Sequence, residues 1–486
     1  MSSPDAGRRS RPIDRGRNES MEAGGVLPSI RVTPPGPRSR EMIERLQRIE
    51  SRAALWTVPP EEPVVWARAF GANVEDVDGN VYVDWTGGFS VAVAGHNNPA
   101  VVAAIKAQAE RLLHAQGVYN PSDRRVELVE MLSALAPDPL EVVHLTTTGS
   151  EAIDVAMKTA ILATGRTRFL AFQDGYHGKS LGGTSLSASQ NFRAPFAPLL
   201  AHVAHMPSPY AYRSIFGPDP EECAERCLAY IADVLGNPAG GLVDIAAMII
   251  EPVQGNGGWI VPPPSFLREL RELCDRHGIL LITDEIITGF GRTGRWFACQ
   301  HSEITPDIMV CGKGMASGMP ISAVIGTRDV MQHWQPMLQT STFLGHPLGC
   351  AAAVASIGEI ERCDLVQRAE MLGRRFHQSL RGLAERHTLI GDVRGLGMLQ
   401  AIELVRDRAS KAPAADESAQ VVSAALRRGL LMNNRGGRLG NVLKFSPPLV
   451  ITEQQLETGL QILDEALNDV ERAGVAAARG RRAASR

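Results

Sequence analysis

The sequence predicts an α/β fold: a large domain with a mostly parallel sheet flanked by helices, and a smaller α+β domain beside it. Three observations predict it. Segments 142–146, 168–172, 246–250, 279–283 and 308–311 are apolar on both faces, as strands inside a covered parallel sheet are. Helical stretches such as 265–277 separate several of them, giving the strand and helix alternation of a doubly wound sheet. From residue 347 the pattern turns mainly helical, at 347–362, 364–386, 417–428 and 453–471, with short strands near 398–404 and 443–446.

The elements follow in order. Residues 1–40, rich in Arg, Ser, Pro and Gly, read as a disordered leader, and Asp5, Asp14 and Glu19 weaken an organelle-targeting role for it. Residues 41–95 carry a helix at 41–55, patterned by Met42, Leu46 and Ile49, then strands at 64–69 and 81–85 around the turn Asp78-Gly79-Asn80. This piece is assigned to the small domain. Residues 96–346 form the large domain, opening with helices at 99–115 and 122–135. Residues 347–472 complete the small domain, and the Ala- and Arg-rich tail 473–486 reads as a solvated helix end.

A chain of 486 residues with 44% hydrophobic residues can bury a large core. Its net charge of -3 offers no general attraction to nucleic acid or anionic membrane, so small polar partners fit better. No apolar run approaches the roughly 20 residues that cross a bilayer, and the N-terminus lacks the apolar block of a secretory signal. A cytoplasmic enzyme is expected. The seven cysteines lack C-x-x-C spacing and read as reduced core thiols, with no metal site expected.

In open α/β sheets ligands gather at the carboxyl ends of strands, which directs attention to five loops. After 142–146, Thr148-Gly149-Ser150-Glu151-Ala152 opens a helix and offers a glycine, a capping hydroxyl and free N–H groups to a phosphate, although a serine cap alone serves any helix. After 168–172, Tyr176 and His177 offer flat surfaces beside Gly178, suited to a cofactor ring or to core packing. Gly178-Lys179-Ser180 resembles the end of a nucleotide-binding loop, but Gln173 stands where that loop needs glycine. After 246–250, Glu251 ends an apolar strand and needs a partner. After 279–283, Asp284 is driven into a dry place where a carboxylate persists beside a cation, either a pyridinium nitrogen or Arg292. After 308–311, Lys313 lies between Gly312 and Gly314, where partial desolvation would make its amine a nucleophile for an aldehyde.

Together these blocks resemble the class III (ω-type) aminotransferases. The resemblance rests on Thr148 to Ala152, Tyr176-His177-Gly178, Glu251-Pro252-Val253-Gln254-Gly255, Asp284-Glu285 with Thr288 to Gly294, Gly312-Lys313-Gly314, Ser341-Thr342-Phe343 before Gly345-His346-Pro347, and Arg394 to Gly397, all in the family's order over residues 40–470. It implies the aspartate-aminotransferase-like fold type I architecture, pyridoxal 5'-phosphate as cofactor and a homodimer with active sites at the subunit interface. It further implies that Lys313 carries the cofactor through a Schiff base and shuttles the proton, that Asp284 pairs with the pyridine nitrogen, and that Tyr176 stacks on the ring. Gly149 and Ser150 would bind the phosphate with Thr342 of the partner subunit, and His177 and Ile287 would complete the cofactor's surroundings.

The nearest branch resembles 4-aminobutyrate aminotransferases, with departures. Lys179 stands where that branch has an arginine for a distal carboxylate, and Lys444 where a second arginine pairs with the glutamate at Glu251 and swings to an α-carboxylate. Both lysines keep the charge and lose the two-pronged guanidinium. Ile287 replaces a glutamine near the ring hydroxyl. The expectation is a transaminase acting on a primary amine or amino acid and a keto acid, with Glu251 and Lys444 as a switchable ion pair. Racemisation, epimerisation or lyase chemistry on the same scaffold is the alternative, and an inactive cofactor-binding protein is disfavoured by the presence of Lys313, Asp284 and Tyr176.

Overall fold

The structure, a computed structural model, describes residues 24–54, 63–199, 202–432 and 436–484. Seven strands build the large sheet: β4 (Leu140–Thr146), β5 (Arg168–Phe172), β6 (Val203–Met206), β7 (Ile245–Ile250), β8 (Leu280–Asp284), β9 (Ile308–Cys311) and β10 (Ser322–Thr327). They follow β1 (Trp66–Phe70), β2 (Asn73–Asp76) and β3 (Val81–Asp84), which form an antiparallel meander. The large sheet runs in the order β4-β10-β9-β8-β7-β5-β6. Pairings from β9 through β8, β7 and β5 to β6 are parallel, whereas β10 is antiparallel to both its neighbours. Six strands therefore deliver their carboxyl ends to one edge.

Every residue of β7 and β9 is buried, which is why these strands read as continuous apolar runs. Helices Gly149–Thr164, Pro220–Gly236 and Pro264–His277 cover the sheet, the first tied down by Ala152, Ile153, Val155, Ala156 and Ala160. The sequence reading anticipated β5 and β9 at their bounds and the other apolar strands within a residue or two. It omitted β6, β10 and the helix Pro220–Gly236.

The C-terminal part adds β11 (Ile390–Leu396), β12 (Leu399–Asp407), β13 (Ala412–Pro413), β14 (Leu430–Leu431) and β15 (Val442–Phe445). β11, β12, β13 and β15 share an antiparallel sheet, while β14 extends the N-terminal meander by pairing parallel to β3. Trp85, fully buried after β3, packs edge-on to Phe376 at 4.9 Å and to Phe445 at 5.1 Å, so the two ends of the chain share one core.

The leader needs correction. Residues 1–23 lie outside the described residues, but 24–40 are held in place. Ser29 bridges to Val81, the Val26 N–H donates to Asn73 Oδ1 at 3.0 Å, and the Arg31 and Val32 N–H groups donate to Asn80 Oδ1 at 2.8 and 3.0 Å. The helix expected at 41–55 begins earlier, as Pro37–Ile49, and its entry is fixed by Asp78 accepting from the Arg38 and Ser39 N–H groups. The final helix Glu453–Ala484 runs through most of the expected tail. Replacing Asn80 by Ala orphans two N–H groups, at a cost of about 1–3 kcal/mol. Limited proteolysis should then cut between residues 24 and 36 faster than in the native chain, while the large domain resists.

Candidate active site

Thr148, Gly149, Ser150, Tyr176, His177, Gly178, Glu251, Val253, Asp284, Ile286, Ile287, Thr288 and Lys313 line one open cleft of ≈ 200 Å³ at the carboxyl edge of the large sheet. The register explains the meeting. Asp284 pairs across with Val310, and Lys313 follows three residues on, while Ile250 pairs with Thr283 so that Glu251 and Asp284 leave the sheet side by side. Backbone geometry then aims the lysine. Lys313 has φ +41, a left-handed conformation that costs a non-glycine residue on the order of 1–3 kcal/mol and collects at functional sites. The neighbouring Gly312 and Gly314 leave no room for side chains, since added Cβ atoms would lie 2.7 Å from Ser322 Oγ and 2.4 Å from Val93 Cγ2.

Electrostatics separates the two central groups. His177 Nδ1 lies 2.8 Å from Asp284 Oδ2, and the Ile286 N–H donates to Oδ1 at 3.1 Å, so the carboxylate is held from behind. Burial alone would lower the His177 pKa, but the hydrogen bond and charge of Asp284 reverse the effect and raise it. The ion pair of Asp284 with Arg292, weighed as an alternative, is not the arrangement found: buried Arg292 donates to the Pro447 carbonyl. Lys313 is lowered to about 8, chiefly by burial and further by the charges of Lys444 and Arg292, against the pull of Asp284 and Glu251.

Glu251 accepts from the Tyr176 N–H and the Gly255 N–H, each at 3.0 Å, and burial raises its pKa. Lys444 does not form the expected direct pair with it. Its Nζ donates to the Gly255 carbonyl at 3.1 Å and lies 5.4 Å from the Trp259 ring, so the two charges are joined through one peptide instead. Both carboxylate oxygens were already occupied by nearby backbone donors. Lys179 is exposed, 4.7 Å over the Phe192 ring, and neither it nor Lys444 is among the residues that line this chain's cleft. Thr342 is exposed outside this chain's own cleft.

At the other end of the cleft Thr148 caps the helix Gly149–Thr164, its hydroxyl accepting from the Glu151 N–H at 3.2 Å. Ser150 Oγ accepts from the Lys179 N–H at 3.2 Å. An added Cβ would lie 2.9 Å from Ile286 Cδ1 at Gly149 and 2.3 Å from Ser150 Oγ at Gly178, where φ is +109. This bare helix start accommodates a phosphate. An amine of lowered pKa, a carboxylate anchored by histidine and an anion cradle around one cleft match the aldehyde, ring nitrogen and phosphate of pyridoxal 5'-phosphate. Ile286, with Val253 and Thr288 from the motif blocks, lines the cleft without having been given a role from the sequence, and Trp259 beneath Lys444 was missed because an isolated aromatic in a glycine-rich loop carries no signal of its own.

Comparison with known proteins agrees. The family model described as Aminotransferase class-III matches residues 57–467. The chain is 36% identical to the alanine/serine racemase of Pyrococcus horikoshii, covering 91% of this chain and 93% of that protein. It is 37% identical to the 4-aminobutyrate aminotransferase of Escherichia coli, covering 88% and 98%. Among solved structures, an amine transaminase from an uncultivated Pseudomonas species in its PLP-bound form superposes with a TM-score of 0.81 at 32% identity, covering 86% of this chain and 98% of that one. These matches span nearly the whole fold and the cleft: the chain belongs to the class-III aminotransferase family, fold type I enzymes that work with pyridoxal 5'-phosphate.

Proposed function

We propose that Lys313 is the attachment point of pyridoxal 5'-phosphate and the proton carrier in an amino-group transfer between a primary amine or amino acid and a keto acid. One observation carries this reading: Lys313 and Asp284 enter one cleft from the ends of paired strands, the first with its ammonium weakened by burial and the second anchored by His177. When bound, the cofactor supplies an electron sink for the bond pair released at the substrate carbon. Asp284, held in place by His177, would keep the ring nitrogen protonated. Tyr176 and Ile287, which line the cleft, would enclose the ring, and Gly149 and Ser150 at the helix start would hold the phosphate together with Thr342 of the partner subunit. Because its pKa is lowered to about 8, Lys313 presents more free amine near neutrality than an ordinary lysine, which favours both attack on an aldehyde and acceptance of a proton.

Lys444, not Lys179, is the residue assigned to a substrate carboxylate, since Glu251 leaves it without a direct ion pair. A homodimer is supported by exposed apolar side chains around Thr342, with Met337 56%, Leu338 55% and Phe343 53% accessible, and by the outward-facing Met42, Leu46 and Ile49 of the N-terminal helix. Seven free cysteines and the absence, among the described residues, of a helix long and apolar enough to cross a membrane support a cytoplasmic setting. The division proposed is a large cofactor domain over 96–346 and a small domain made from 41–95 with 347–472.

The racemase of P. horikoshii among the relatives favours one second reading, racemisation or epimerisation on the same scaffold. Mixing the loaded enzyme with an amino donor and no acceptor separates them: transfer leaves the amino group on the cofactor and releases one equivalent of carbonyl product, whereas racemisation returns the donor with its stereocentre scrambled. In the same half-reaction Lys313→Ala should slow transfer on the order of 10²–10⁴-fold, the usual contribution of a positioned acid and base. Asp284→Asn should lower the His177 pKa relative to the native enzyme, because burial is then opposed only by the charge of Glu251, and histidine NMR titration reads this directly. Lys179→Ala should change KM for an α-amino acid by no more than about fivefold, as expected of an exposed charge.

A further inference from the structure

We propose that Ser356 is a positioning residue for Lys313: through a row of hydroxyl hydrogen bonds that includes Ser317, it holds the strained turn that carries the lysine into the cleft. This deepens the role proposed for Lys313 and rests on it. Ser356 lies far along the chain from the lysine, in the helix Pro347–Arg362.

The turn needs an outside hold. Lys313 has φ +41 and Ser317 has φ +45, so two residues with side chains stand in the left-handed region on either side of Gly314-Met315-Ala316. Such a conformation persists only where the surroundings impose it. The turn's own hydrogen bonds are few and include a long one, the Met315 N–H donating to the Gly312 carbonyl at 3.0 Å and the Ala316 N–H to the Lys313 carbonyl at 3.4 Å.

The row of hydroxyl bonds has one direction. The Ser356 hydroxyl donates to the Gly314 carbonyl at 3.4 Å. It has no second proton, so Ser317 is the donor at the 2.9 Å contact between the two serine oxygens. Ser317 Oγ in turn accepts from the Ala94 N–H at 3.1 Å. The carbonyl of Ala94 is held too, by Asn98 Nδ2 at 3.1 Å, and the same amide donates at 3.2 Å to Glu359, one turn along the helix from Ser356. Helix, lysine turn and the segment after β3 are thereby fastened to one another. Packing alone would favour alanine at position 356. The residue is fully buried on a helix face formed by Ala352, Ala353 and Ile360, where a hydroxyl costs free energy unless it is bonded. What the oxygen supplies is its hold on the turn.

Borohydride trapping of the full-length protein, mixed with saturating pyridoxal 5'-phosphate and sampled over time, measures how fast a linkage forms at Lys313. Ser356→Ala should slow that rate about 10–100-fold, the cost of misplacing a reacting group by about 1 Å. Ser317→Gly should slow it likewise, although it relieves the strain at its own φ, because the row of bonds is broken; on the half-buried turn, it carries the test should the buried change unsettle the fold. In a Lys313→Ala background, where this linkage cannot form, adding Ser356→Ala should leave the equilibrium affinity for pyridoxal 5'-phosphate unchanged. Trapping as fast as native in either serine variant would overturn the proposal. A loss of affinity in the Lys313→Ala background would also overturn it, since Ser356 would then support the pocket as a whole and not the lysine. No trapping at Lys313 in the native protein would instead overturn the role of Lys313 itself.

Discussion

The site depends on one constraint, the placing of opposite charges in dry positions at the ends of two hydrogen-bonded strands. Asp284 and Lys313 leave β8 and β9 side by side, each behind a run of buried apolar residues, Asp284 buried and Lys313 half-buried on the cleft wall. A carboxylate there must be anchored, and His177 and the Ile286 N–H anchor it. An ammonium there must give up part of its preference for the proton, and Lys313 does. The chemistry proposed for the chain, covalent capture of an aldehyde beside a protonated ring nitrogen, is an outcome of that burial. The antiparallel β10 contributes by packing Ser322 against Gly312 and by joining β4, whose far end opens the anion cradle, to the strand that carries the lysine.

A second layer of polar contacts ties the loops around the cleft together. Glu251 is often the sort of residue that would hold a cation, yet here its oxygens cap backbone N–H groups and thereby fix the loops bearing Tyr176 and Gly255. Gly255 is needed because Ile287, Glu251 and Trp259 crowd it, with a Cβ falling 2.9 Å from Ile287 Cδ1. Its carbonyl then receives Lys444. The loop after β7 thus meets both Tyr176 and Lys444, and the arginine cluster of Arg394 and Arg213 on Glu403 secures that loop against β11 and β12.

Much of this was legible in the residues because burial and loop position leave marks in sequence. The doubly apolar β5, β7, β8 and β9 announced themselves, as did the glycines flanking Lys313 and the hydroxyl-rich start of the helix at Gly149. What escaped has physical reasons. β6 is half-buried and carries His205, and in β10 the run Ala323-Val324-Ile325 is cut short by Ser322 and Gly326, so neither shows a long apolar run. The leader was read as disordered from composition, but Asn73, Asn80 and Asp78 satisfy its backbone from across the meander, a tertiary effect that composition does not record. Glu251 and Lys444 make no direct contact for a similar reason: the N–H groups of Tyr176 and Gly255 occupy the carboxylate. Lys179 follows Gly178, whose φ of +109 turns the chain so that the next side chain leaves the cleft.

Lys313 is the amine proposed to carry the cofactor. Borohydride reduction of the purified, pyridoxal-phosphate-loaded enzyme followed by peptide mass spectrometry identifies the attachment point. A phosphopyridoxyl mass is expected on the peptide containing Lys313 and is expected to be absent from Lys313→Ala. A label on Lys444 or another lysine, or no label on a folded protein that has been offered the cofactor, would contradict it.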